Sequence, residues 1–165
     1  MNFADTFELL EVLNKYIDKE NINIQTEIKD WKGKTLHHDF LSADNDNVRI
    51  EVADDGIIIG YFTDHDHFDD LTAELQAGEP NYLERAKSFI DELFTNKIKQ
   101  VNFYRKDELV KDSYYFITEN NAQEEFIGGT YYKICLFGRK RITKSETIWQ
   151  YDKEKQCFVK CATDK

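Results

Sequence analysis

Residues 48–62 read Val-Arg-Ile-Glu-Val-Ala-Asp-Asp-Gly-Ile-Ile-Ile-Gly-Tyr-Phe, and no other stretch constrains the fold as tightly. Val48, Ile50 and Val52 alternate with other residues, the period of a strand with one wet face. Asp54-Asp55-Gly56 supplies a hairpin turn, because Asp-Gly suits the positive φ angles of a type I′ loop. Residues 57–63 are apolar enough to predict a central strand.

The flanking pattern extends this hairpin. Ile22, Ile24, Thr26 and Ile28 alternate across 22–30, Lys32-Gly33-Lys34 marks a turn, and 35–42 is the expected hairpin partner. Asp44-Asn45-Asp46-Asn47 is a loop by composition. Upstream, Phe3, Phe7, Leu10, Leu13 and Ile17 recur at helical spacing over 3–18, with Asn2 as cap and Asp5 in the first turn. Downstream, Phe68, Leu71 and Leu75 predict a helix over 68–77 capped by Gly78, and Pro80 opens a second helix over 82–95. Strands then fit 98–104, 109–118, 129–138, 141–151 and 156–161, with turns at 105–108, 128–129, 138–140 and 152–155. The expected class is α+β: an N-terminal helix, antiparallel strands, two central helices and a C-terminal antiparallel β-meander. A boundary near Asn96 would leave two small lobes, so a single domain over 1–165 with one shared core is expected.

The chain has 165 residues, 41% of them hydrophobic, with 12 Phe, 9 Tyr and 2 Trp, which suits an aromatic-rich packed core. No apolar run approaches the ~18–20 residues that span a bilayer. Met1-Asn2-Phe3-Ala4-Asp5 has neither the basic nor the apolar region of a secretory signal. Three cysteines, Cys135, Cys157 and Cys161, are an odd number, so reduced thiols and a cytoplasmic location are expected.

The formal net charge is −10. That disfavours nucleic acid, whose affinity rests on Lys and Arg displacing counterions, and anionic membrane surfaces for the same reason. Residues 44–79 hold eleven acids against one base, Arg49, a net of −10 that equals the charge of the whole chain. Residues 129–165 hold nine bases against four acids. Acids of this kind either coat loops and outward strand faces or form a field that steers a basic partner.

One constellation carries metal-ligand residue types. Strand 57–63 runs into Asp64-His65-Asp66-His67-Phe68-Asp69-Asp70, and His65, His67 and Asp69 resemble the zinc motif HxHxDH of the metallo-β-lactamase fold. Asp70 stands where that motif ends in His. No histidine follows His67, and His37 and His38 both precede it. The segment is therefore expected to be a solvated loop leading to a helix, with Asp66 or His67 as cap and Asp69 and Asp70 at its positive end. No catalytic, cofactor or metal residue is assigned. Ser42, Ser88, Ser113 and Ser145 lack a nucleophile-elbow context. Gly128-Gly129 reads as a strand turn, and Cys135, Trp149, Tyr151 and Tyr114–Phe116 as sheet packing.

In size, acidity, helix-plus-meander layout and lack of a catalytic motif, the chain resembles the small acidic immunity proteins of bacterial polymorphic toxin systems. The resemblance implies a protein that binds a toxin domain and blocks it, often by covering a cationic active site. The expected partner is a basic protein. Asp54, Asp55, Asp64, Asp66, Asp69 and Asp70 are the candidate contact acids, with Tyr61, Phe62 and Phe68 as candidate anchors. The alternatives are a metal-dependent hydrolase centred on His65 and His67, an acidic secretion chaperone, and an acidic nucleic-acid mimic.

Overall fold

A computed structural model of the chain describes residues 3–44, 47–53, 56–69, 81–118, 123–132 and 142–161. It divides into two compact units, Met1–Glu92 with Lys153–Cys157, and Leu93–Asp152 with Phe158–Lys165. Each is built on a five-stranded antiparallel sheet.

In the first unit, helix α1 (Phe3–Leu13) and a 3-10 turn (Lys19–Asn21) precede strands β1 (Asn23–Trp31), β2 (Lys34–Ala43), β3 (Val48–Ala53), β4 (Gly56–Tyr61) and β5 (Asp64–Phe68). The sheet is a meander in the order β1-β2-β3-β4-β5. Its turns follow local chemistry. Lys32 and Gly33 take φ of +48° and +79° in the two-residue loop closing Trp31 on Lys34. Ala53 pairs with Gly56, so the glycine belongs to the strand rather than to the turn. A Cβ at Gly56 would lie 2.7 Å from the Phe68 carbonyl oxygen, which only glycine avoids.

Strand alternation assigns the two faces of this sheet. Leu41, Val48, Ile50, Val52, Ile57, Ile59 and Tyr61 are buried on one face. Helix α2 (Tyr82–Thr95) packs there, with Phe89 against Tyr61 and Phe68 at ring separations of 5.6 and 5.5 Å. The Asn81 side chain caps α2 by accepting from the Glu84 backbone N–H. α1 packs on the same face. Thr6 donates to the buried Asp39 carboxylate at 2.8 Å, and Thr26 of β1 donates to its other oxygen at 2.6 Å. α1 and α2 are tied by Tyr82 donating to Asp5 and by Lys87 pairing with Glu8.

In the second unit, β6 (Lys97–Arg105), β7 (Glu108–Ile117), β8 (Glu124–Gly128), β9 (Thr143–Asp152) and β10 (Cys157–Lys160) take the order β10-β9-β6-β7-β8. Phe94, Tyr151 and Phe158 form an aromatic cluster with ring separations of 4.6–5.9 Å. Beside it runs a polar chain. Trp149 donates to Gln100, Gln100 donates to the Tyr114 hydroxyl, and Tyr114 and Tyr132 both donate to the buried Asp112 carboxylate.

The expected α+β class is corrected by these elements. Strands hold 57% of the described residues, so the protein is mostly β. Of the two expected central helices, 82–95 is α2, while 68–77 begins on the last residue of β5 and otherwise lies outside the described residues from 70 onward. Among the described residues, Asp64–Phe68 is a strand and not the expected loop, so five strands stand where four were expected before residue 69. The C-terminal sheet is not a simple meander, because β9 pairs with β6 and not with β8. A strand that was not expected covers 124–128; of the strand expected at 129–138, the described part holds a bridge from Tyr131 to Lys111, and 133–138 lie outside the described residues. No helix among the described residues is long and apolar enough to cross a membrane.

Candidate functional site

Among the described residues of the first unit, α1 and α2 occupy one face of the sheet and no element lies on the other. Register places Asn23, Ser42, Arg49, Gly60 and His65 in one row across all five strands. Gln25, Phe40, Glu51, Ile58 and His67 form the next. These rows, His67 apart, line an open hollow of about 590 Å³. Phe40 and Ile58 are its apolar floor, and neither is buried. Polar side chains ring them.

Gly60 shapes the hollow. Arg49 lies across it, and a Cβ at Gly60 would stand 3.1 Å from the Arg49 Nε. The guanidinium donates to the Phe62 carbonyl at 3.2 Å, which holds it flat against the sheet. Phe62 takes a φ of +50° in the two-residue loop that joins Tyr61 to Asp64. On the same open face, a ring nitrogen of His38 lies 3.0 Å from a Glu51 oxygen. His65 and His67, two apart on β5, stack edge-to-face at 4.9 Å.

The same alternation separates the histidines from the acids between them. Asp64 and Asp66 point to the helix-covered side. Asp64 is buried, and one of its oxygens accepts from the His65 backbone N–H at 2.9 Å. Asp66 is half-buried and accepts from the Tyr61 hydroxyl at 3.3 Å. Burial raises the Asp66 carboxyl above the ordinary aspartate range, and the neighbouring Asp64 adds to this. Tyr61, His65 and His67 oppose it. Among the described residues no three His, Cys, Asp or Glu side chains converge as a metal-ligating group. Successive strand residues project to opposite faces, so Asp64 and Asp66 are parted from His65 and His67, and Asp69, which shares the histidines' parity, lies beyond the end of β5.

The residues singled out from sequence are thus dispersed. Tyr61 is fully buried in the core. Phe68 is half-buried against Phe89, and Phe62 sits in the β4–β5 loop. Asp69 follows β5, and its carbonyl accepts from Arg85. Asp54, Asp55 and Asp70 lie outside the described residues. Cys157 and Cys161 are free thiols. The open face itself went unnamed in the sequence, although its signal was present: Arg49 and Glu51 are the wet positions between Val48, Ile50 and Val52.

No protein-family model matches the chain, and neither a curated protein nor a solved structure shows significant similarity to it.

Proposed function

We propose that the chain is a non-catalytic, cytoplasmic protein-binding module that acts as an immunity protein, blocking a basic toxin domain through the open face of its first sheet. The observation that carries this reading is the five-stranded face that no element among the described residues of this unit covers, with Phe40 and Ile58 at its centre and Asn23, Gln25, Arg49 and Glu51 around them. An apolar centre inside a polar rim is the anatomy of a protein interface. Small-molecule sites instead enclose most of the ligand in a concave cavity, and this hollow is open.

Charge supports the choice of partner. A net −10 on 165 residues attracts a basic protein at long range and raises the encounter rate. The acids need not sit in the contact to do so. Glu27 and Glu51 are the carboxylates of the open face itself, and the remaining charge acts through the field.

The test is protection in trans. A basic toxin domain encoded beside this gene is expressed in a sensitive host with the intact protein or with a Phe40→Ala/Ile58→Ala variant. The intact protein is expected to restore growth and to co-purify with the domain, and the variant to do neither while remaining folded. Equal protection by both would remove the open face from the mechanism. No protection by either would remove the immunity reading.

A further inference from the structure

The first sheet has two edges of opposite character. An unpaired edge strand is a template for another strand, and proteins commonly blunt it with inward-pointing charges. β5 is blunted in that way by Asp64 and Asp66, which face the helices. β1 is nine residues long, and 23–28 and Asp30 are all exposed. On its helix-facing side Ile24 and Ile28 are 48% and 64% exposed. α1 adds to this strip. Thr6 and Thr26 share the Asp39 carboxylate, so the turn of α1 that carries Phe7 lies level with Thr26, and Phe7 is 62% exposed.

The sequence of β1 selects the occupant. We propose that β1 pairs antiparallel with β1 of a second copy of the chain, about a two-fold axis through Thr26 and perpendicular to the sheet. Thr26 then opposes Thr26, Gln25 opposes Glu27, Ile24 opposes Ile28, and Asn23 opposes Lys29. The exposed isoleucines of each copy meet those of the other on the helix side. Thr–Thr and branched apolar pairs are among the favourable cross-strand combinations, and no like charges are directly opposed. Shifting the axis to Glu27 would set that carboxylate against itself and Ile24 against Asp30. Shifting it to Gln25 would set Ile24 against Thr26 and Ile28 against Ile22, which is already buried in its own copy. The pattern of β1 therefore favours one register, and the product is a continuous ten-stranded sheet.

Charge sets the direction of the salt response. Two chains of −10 repel, so salt screens the repulsion and strengthens the dimer. A complex with a basic partner responds in the opposite direction, which keeps this inference distinguishable from the proposed function.

Sedimentation of the full chain across about 1 µM to 1 mM, at low and high salt, reads the association directly. A dimer that strengthens with salt is expected, and Ile28→Lys, at an exposed position, is expected to be monomeric with unchanged circular dichroism. Cysteine pairing reads the register, because directly opposed strand residues fall within disulfide reach. Thr26→Cys is expected to form a disulfide-linked dimer by itself. Gln25→Cys and Glu27→Cys are expected to cross-link efficiently only when mixed. The mixed pair guards against a Thr26 variant that fails to fold. A wild-type chain that stays monomeric throughout would overturn the proposal. So would a dimer indifferent to Ile28→Lys, or equal cross-linking of Glu27→Cys alone and in the mixture.

Discussion

Asp39 and Asp112 are buried carboxylates in a chain whose acids read, by count, as surface. A buried carboxylate persists only when donors satisfy it. Asp39 has Thr6 and Thr26, and Asp112 has Tyr114, Tyr132 and the Thr130 backbone N–H at 2.9 Å. Asp112→Ala strands the Tyr132 hydroxyl and the Thr130 N–H, and about 3 kcal/mol of stability should be lost, read as a lower urea midpoint for the second unit. Asp66 makes a different prediction. Its folded pKa is raised, so the native state binds the proton more tightly than the unfolded chain does, and stability falls as pH rises through the Asp66 titration. Asp66→Asn removes the ionised form and still accepts from Tyr61. It should melt higher than wild type near neutral pH and lose that advantage in acid, once Asp66 is protonated. A melting-temperature series from about pH 3 to pH 7 checks the sign, and an advantage that grew in acid would refute it. A charge count does not see the parity of a strand, and that is why Asp64 and Asp66 looked like rim residues.

Local rules worked where the structure is local. Each predicted strand from 22 to 63 is present, and the turns at Lys32-Gly33 and Lys106-Asp107 take the positive φ angles that two-residue hairpins demand. α1 exists, but its buried stripe is Asp5, Thr6, Leu9, Val12 and Leu13, with Phe7 outside. The rotation follows from Asp39, whose carboxylate holds Thr6 against the sheet, a contact 33 residues away that helical periodicity cannot register. The charged residues of β5 read as a solvated loop, although Tyr61 and Asp64 flank a two-residue turn and Phe68 returns to pair with Ile57. The unexpected β8, at Glu124–Gly128, has a similar cause. Gly128-Gly129 is not a hairpin turn. Gly129 lets the chain run against β7, where a Cβ would stand 2.6 Å from the Asp112 carbonyl oxygen. Backbone must shift to admit that Cβ, so Gly129→Ala should destabilise the second unit by about 1–3 kcal/mol, measured by urea unfolding. A wild-type midpoint for this variant would mean that 129–132 does not close on β7 as described.

At the scale of the molecule, the order of strands within the first sheet follows the chain, and that of the second does not. Hairpin reasoning suffices for β1 to β5 and for β6 to β8. Nothing in 142–161 announces that β9 returns to the far side of β6, because the side-chain bond that accompanies this pairing, Trp149 to Gln100, joins residues 49 apart. The open face of the first sheet is likewise a property of the assembled unit: alternation shows that each strand has a wet side, and only the placement of both helices on the other side makes those wet sides one surface. The function proposed for that surface divides into two measurable parts. Long-range charge should govern how fast the partner arrives, and Phe40 and Ile58 should govern how long it stays. The decisive measurement is the association and dissociation kinetics with the basic toxin domain at two ionic strengths, for wild type and for Phe40→Ala. The expected result is an association rate that falls by tenfold or more from low to physiological salt, with Phe40→Ala leaving that rate unchanged and speeding dissociation by about tenfold. An association rate indifferent to salt, together with a dissociation rate indifferent to Phe40→Ala, would contradict both the charge steering and the open-face interface.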